Sequence, residues 1–445
     1  MTNSAPARDR AVDVARLAAL VVVMFGHCAL LLATVDGRGV HVANLIGALP
    51  AIAPLTWIVQ VMPLFFLAGG AAGSYAYRDG TPWGAWLFVR AQRLCRPVFF
   101  YLAVWSVGLL AVRLLLGADS AARLGRESVA LLWFLGVYLV ALAFVPALMR
   151  MTTSRTVTVV LVGLLAAAAL GDAARFACNA PAAGVTNFVV VWLIPVLIGV
   201  GYARRLISTR WAACVGLVAF TAQLGLAVVG PYDISLVVTG AEHVSNVAPP
   251  TLLLALHCTW MSCAFVLAAG ALQHWAQRPR VWRMVTTGNA GAMTLYLWHI
   301  PAIAVAAFAL HAVGLDAYDV HAPGFWALLA LRAAVFAVVM SVFFVALSPL
   351  EHRPLPWWDR PVGARGARAG ATGVLVCVAG VTLVMTAKMG LTGGGWAALA
   401  VFVATIVVAR VSAGSGVTAP AESVTAPAAR VTAPAARTSG DCRRP

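Results

Sequence analysis

The chain has 445 residues, 62% of them hydrophobic and 10% charged, with a formal net charge of +16. A soluble globule carries about 25% charged residues. This chain lacks the polar surface to cover its apolar bulk in water, so its solvent must be lipid. The basic residues, all arginine except Lys388, stand singly or in small groups between apolar runs. That distribution fits loops on one side of a membrane and argues against a nucleic-acid-binding face.

Runs of about 20 apolar residues predict helices, in chain order, over 11–35, 45–74, 98–116, 128–149, 156–170, 187–203, 211–230, 249–272, 290–311 and 324–349. Two weaker runs follow at 371–388 and 396–410. The expected fold is all-α: a polytopic transmembrane helix bundle, with a ten-helix core in 1–360 and one or two further helices in 371–410. The apolar stretch from Ala11 to Val35 is too long for a cleaved signal segment and reads as the first helix. Beyond Arg410, VTAPA recurs from Val417, Val424 and Val431. Pro420, Pro427 and Pro434 forbid a coiled coil there, and 411–445 reads as a disordered cytoplasmic tail. The cysteines lie mostly in apolar runs and form no CxxC. This pattern speaks against a metal centre or a disulfide framework.

Arginine asymmetry sets the expected orientation. With the N-terminus cytoplasmic, inside segments hold Arg8, Arg10, Arg16, Arg78, Arg90, Arg93, Arg96, Arg150, Arg155, Arg204, Arg205, Arg210, Arg278, Arg280, Arg283, Arg353, Arg360, Arg365 and Arg368. Outside segments hold only Arg38, Arg113, Arg123, Arg126, Arg175 and Lys388. The expected setting is therefore a multi-pass protein of the cell membrane with both termini cytoplasmic.

Chemistry can sit at few places. Arg16 and His27 are eleven residues apart, which is three helical turns plus about 20°, so they share one face about 16 Å apart along the axis. An ionisable residue inside a span is a functional candidate by default. A buried imidazole is a plausible neutral base, and a histidine hydrogen-bonded within the bundle is the competing reading. Arg90, Arg93 and Arg96 step by three ahead of Pro97. Arginine binds phosphate bidentately, which suits the phosphate end of a nucleotide-bearing donor; plain topology anchoring explains the same residues. Arg332 lies too deep in its span for an anchor, which leaves a substrate contact and a structural pair equally open. His311 and Asp316 have an acyltransferase-like spacing but fall at the outer end of their helix. His257 reads as a bundle residue. The outer loop from Tyr232 to Asn246, with Asp233, Glu242 and His243, leaves an acceptor-binding lip and a plain solvated loop both open.

Together these pieces resemble the acyltransferase 3 family of membrane acyltransferases. The likeness rests on Asp13-x-x-Arg16 with His27, on Pro63-Leu64-Phe65-Phe66-Leu67-Ala68-Gly69-Gly70, and on Arg90-x-x-Arg93 before Pro97. It continues with Trp133-Phe134-Leu135 and Leu295-Tyr296-Leu297-Trp298-His299. Ala68 stands where the family usually has serine. The run before Pro97 is one residue longer than usual, which leaves open which arginine pair corresponds. The resemblance implies transfer of an acyl group, acetyl being the simplest, from cytoplasmic acyl-CoA as co-substrate. The acceptor would be a hydroxyl of a glycan, a cell-envelope component or a small metabolite. It implies His27 at the reacting centre, as a base or as a transient acyl-imidazole, and Arg16, Arg90 and Arg93 at the donor, with no bound cofactor; Asp13, His299 and Arg332 are supporting candidates. The partner that orients His27 must come from another helix, because Asp13 is 14 residues away. The alternative is a transporter of a polar small molecule, against which stands the absence of two similar halves. Acceptor identity and oligomeric state are beyond this sequence.

Overall fold

The computed structural model describes residues 9–36, 39–177, 181–240 and 242–414. The VTAPA repeats, Arg8 and Arg38 lie outside these residues. The polytopic helical expectation holds: among the described residues, twelve helices are long and apolar enough to cross a membrane.

The first helix, α1 (Arg10–Leu30), starts from Asp9, whose carboxylate accepts from the amides of Ala11 and Val12. Such a cap satisfies donors that a helix start leaves unpaired. The helix ends at Leu30 rather than at residue 35, because the chain turns into an antiparallel hairpin, β1 (Leu31–Asp36) and β2 (Gly39–Asn44). The expected span over 45–74 is also interrupted. It comprises α2 (Leu45–Ala48), a 3-10 turn (Pro50–Leu55), α3 (Thr56–Val59) and only then α4 (Met62–Ala76). Pro50, Pro54 and Pro63 lack amide donors and account for the breaks.

The arginine run is not a loop ahead of the third span but part of it. Helix α5 (Trp83–Val129) begins well before Pro97, carries Arg90, Arg93 and Arg96, and breaks at Gly117, whose φ is 86°. Next come α6 (Leu132–Leu142), α7 (Val145–Leu148), α8 (Ser154–Ala177), α9 (Asn187–Ala203), α10 (Thr209–Val229) and α11 (Leu252–Trp275). A short amphipathic helix that the sequence reading passed over, α12 (Pro279–Ala290), packs Val285 against Val14 and Ala276. Its Asn289 Nδ2 donates to the carbonyl of Asp13 at 2.9 Å. That contact pins the start of α1.

The bundle closes with α13 (Ala292–His311), α14 (Phe325–His352), α15 (Gly366–Met389) and α16 (Gly393–Ala413). Both late helices are long and apolar enough to span. Helix α15 packs along α6 and α5, while α16 lies mainly on α15. The α6–α15 contact is backbone to backbone: a Cβ on Gly136 would stand 2.4 Å from the carbonyl oxygen of Gly380. Small residues allow this close approach in membranes, where tight packing replaces the hydrophobic drive.

Candidate active site

Two cavities occupy the middle of the bundle. The first, of about 410 Å³, is lined by Arg16 of α1, Arg90 and Arg93 of α5, Tyr138 of α6 and Gly69 of α4. No carboxylate among the described residues lines it. Three guanidiniums thus border one chamber. Arg90 is held in place by its own helix: Nη1 donates to the Trp86 carbonyl at 2.9 Å, and the guanidinium lies 3.6 Å from the centre of the Trp86 ring. Arg96, six residues on, is engaged elsewhere, in an ion pair of 3.1 Å with Asp359. The pair facing the cavity is thus Arg90 and Arg93. A Cβ on Gly69 would fall 2.5 Å from Tyr138 Oη, so a larger residue there would push the Tyr138 ring aside.

The second cavity, of about 300 Å³, is lined by His27 together with Gln60, Asn44, Glu127 and Trp133. Part of its wall comes from the broken segment between α1 and α4, through Leu31, Asn44, Val59 and Gln60. Irregular backbone at membrane depth is tolerated where it lines a cavity, and here it does. The loop from Tyr232 to Asn246 contributes Val237 and Val238. Its charged residues are used within the loop: Asp233 accepts from the Val244 amide at 2.7 Å, and Glu242 from the Thr239 amide at 3.0 Å.

The partner of His27 comes from α13. His27 Nδ1 lies 2.9 Å from His299 Nε2, and His299 Nδ1 lies 2.7 Å from the Tyr296 carbonyl oxygen. The two ring planes differ by 7° with centroids 5.2 Å apart. With the nitrogens in contact, that separation means rings joined edge to edge in one plane, not stacked face on face. The bonding fixes the protons. A carbonyl only accepts, so His299 Nδ1 carries hydrogen. His299 is fully buried and bonds no carboxylate among the described residues, so a second proton there would be an uncompensated buried charge. Its Nε2 is therefore an acceptor, and His27 donates from Nδ1. The His27 Nε2 lone pair is left without a hydrogen bond among the described residues, on a ring that borders the second cavity.

Asp13 lines neither cavity. Arg332 also reaches neither; its Nη2 donates to the Cys28 carbonyl at 2.6 Å. His257 Nε2 donates to the Gln60 carbonyl at 2.7 Å, a bundle contact. His311 pairs with Asp316 at 2.7 Å, and Asp316 also accepts from Thr34 of the hairpin. Sequence reasoning missed Tyr138 and Glu127. No spacing pattern announces them, because their place depends on how α5 and α6 meet the other helices.

The arrangement defines a polytopic membrane protein with an arginine-lined chamber and a histidine chamber side by side at its core. The chain belongs to the acyltransferase 3 family: the family's acyltransferase-domain model matches residues 9–348. No curated relative and no solved structure matches it. The family makes it a membrane acyltransferase and favours that reading over a transporter.

Proposed function

We propose that the protein transfers an acyl group from acyl-CoA to a hydroxyl of a glycan, cell-envelope component or small metabolite, with His27 as the base. The observation that carries this reading is the His27–His299 bond, which leaves one unprotonated imidazole nitrogen bordering a cavity next to a three-arginine chamber. Arg16, Arg90 and Arg93 hold the donor's phosphates by charge-assisted hydrogen bonds, the strongest class available for that group. The roughly 16 Å helical rise from Arg16 to His27 is comparable to an extended pantetheine arm. The acceptor oxygen gives its proton to His27 Nε2 as it attacks the thioester carbon. A C–O bond forms, the C–S bond breaks, and the departing thiolate takes the proton back from His27. His299 keeps the imidazole in the required tautomer throughout.

The arginine-rich end of the bundle faces the cytoplasm, where acyl-CoA is found, and the protein sits in the cell membrane with both ends of its chain inside. The donor acyl group is acetyl in the simplest case, and no resident cofactor takes part. The experiment is transfer of radiolabel from [acetyl-¹⁴C]acetyl-CoA into extractable products, in host membranes lacking the endogenous copy and supplied with the full chain. Label transfer that depends on the chain is expected. Equal labelling with and without it refutes the reading.

A further inference from the structure

The arginine chamber and the histidine chamber have two lining residues in common, Phe134 of α6 and Tyr296 of α13. Their rings meet edge to face with centroids 5.5 Å apart. Tyr296 is tied at both ends: its hydroxyl donates to the Leu131 carbonyl, and its own carbonyl accepts from His299 Nδ1. Turning the Tyr296 ring would break its hydroxyl's bond to the Leu131 carbonyl. Phe134 has no polar tether. Its ring meets Phe65 and Phe66 edge to face, with centroids 5.6 Å and 5.3 Å apart, and lies tilted at 37° to Tyr138, 5.5 Å away.

We infer that Phe134, turning against the fixed ring of Tyr296, sets the size of the acyl group that reaches His27. This rests on the acyl-CoA reading above. A donor anchored by its phosphates at the arginines sends its acyl end first, and the thioester carbon meets His27 only after that end has passed between the two rings. The pantetheine arm is thin and unbranched, so the acyl group is the widest part to cross. Beyond the rings, about 300 Å³ must hold both acyl group and acceptor, a volume at the small end for ligand cavities. A tight passage into a small chamber selects short acyl groups, and a methylene too many at such a site is worth roughly tenfold or more in rate.

The test compares initial rates of label transfer from acetyl-, butyryl- and hexanoyl-CoA in the same host membranes, for the wild-type chain and for Phe134→Ala, Phe134→Leu and Phe134→Trp. Phe134→Leu guards against misfolding of the alanine variant, and every variant is checked for abundance and for a monodisperse profile after extraction. The hexanoyl-to-acetyl ratio should rise about tenfold or more in Phe134→Ala and by a smaller factor in Phe134→Leu. Phe134→Trp should lose transfer of every acyl group about 100-fold, while affinity for CoA itself stays within about threefold, because the arginines lie on the near side of the ring. An unchanged ratio in both smaller variants overturns the inference, as does loss of CoA affinity in step with transfer in Phe134→Trp. Absence of transfer from every acyl-CoA by the wild-type chain overturns the donor reading itself, and the inference with it.

Discussion

Arg332 of α14 reaches across the bundle to the backbone carbonyl of Cys28, 2.6 Å away and one residue past His27. The side chain is 2% exposed. The carbonyls in the last turn of a helix have no partner within it. Where α1 gives way to the hairpin, Arg332 supplies that partner and so fixes the turn on which His27 sits. Arg332→Leu removes a charge-assisted bond of about 1.5–3 kcal/mol. Displacing the base should lower kcat by about 10–100-fold. Acyl-CoA affinity should change less than about twofold, since Arg332 lines neither chamber. Arg332→Lys should recover part of the rate. A parallel fall in affinity and kcat would refute the positioning role.

Substitution of His27 by alanine should abolish transfer, at a cost of at least about 10²–10⁴-fold, with insertion and abundance near wild type. His27→Gln separates chemistry from structure, because an amide replaces a hydrogen bond but moves no proton. Most of the activity surviving in that variant would make His27 structural. His299→Ala leaves the His27 Nδ1 proton without its acceptor and should cost about 10–100-fold in kcat, the usual loss for an outer-shell orienting partner. His299→Gln should regain much of it through the amide oxygen.

The arginines divide by their partners. Arg90→Ala or Arg93→Ala should weaken acyl-CoA binding by about 1.5–3 kcal/mol each, measured by calorimetry on the extracted protein. Arg93→Lys should restore only part, as a point charge replaces a fork. Arg96→Ala should leave binding alone. Its ion pair with Asp359 is about a fifth to a quarter exposed, so its loss should cost no more than about 1 kcal/mol of stability. Unchanged donor affinity in Arg90→Ala and Arg93→Ala would reduce these arginines to topology anchors.

Orientation is testable in intact cells on a background without native cysteines. His243, whose side chain is 95% exposed in the outer loop, should become labelled as cysteine without permeabilisation. Arg280 of α12 should be labelled only after it. The opposite pattern would put the arginine chamber on the wrong side for a cytoplasmic donor.

Hydropathy made the number and approximate position of the spans legible, because lipid rewards apolar length alone. It did not reveal backbone conformation at depth. Leu31 to Val35 is as apolar as a helix but forms a strand, and the run over 45–74 hides its breaks at Pro50, Pro54 and Pro63. Arg90 and Arg93 read as loop residues because charge usually marks a span's end, yet α5 carries them inside its helix. The shared face of Arg16 and His27 was readable from helical periodicity. The bond from His27 to His299, 272 residues apart in sequence, belongs to tertiary packing. Tyr138 and Glu127 enter the cavity walls by the same route.

Helix α6 bears Trp133, Phe134 and Tyr138, and its far side is backed by α15 through the Gly136–Gly380 contact. Residue 380 lies beyond the 9–348 that the family model matches. During synthesis, then, every residue that lines the two chambers leaves the ribosome before the helix that braces their common wall. Until α15 enters the bilayer, the glycine face of α6 is open to lipid, and the nascent chain holds all of its chemistry in an unbraced bundle. Translation of α15 completes the rigidity of the site rather than its composition.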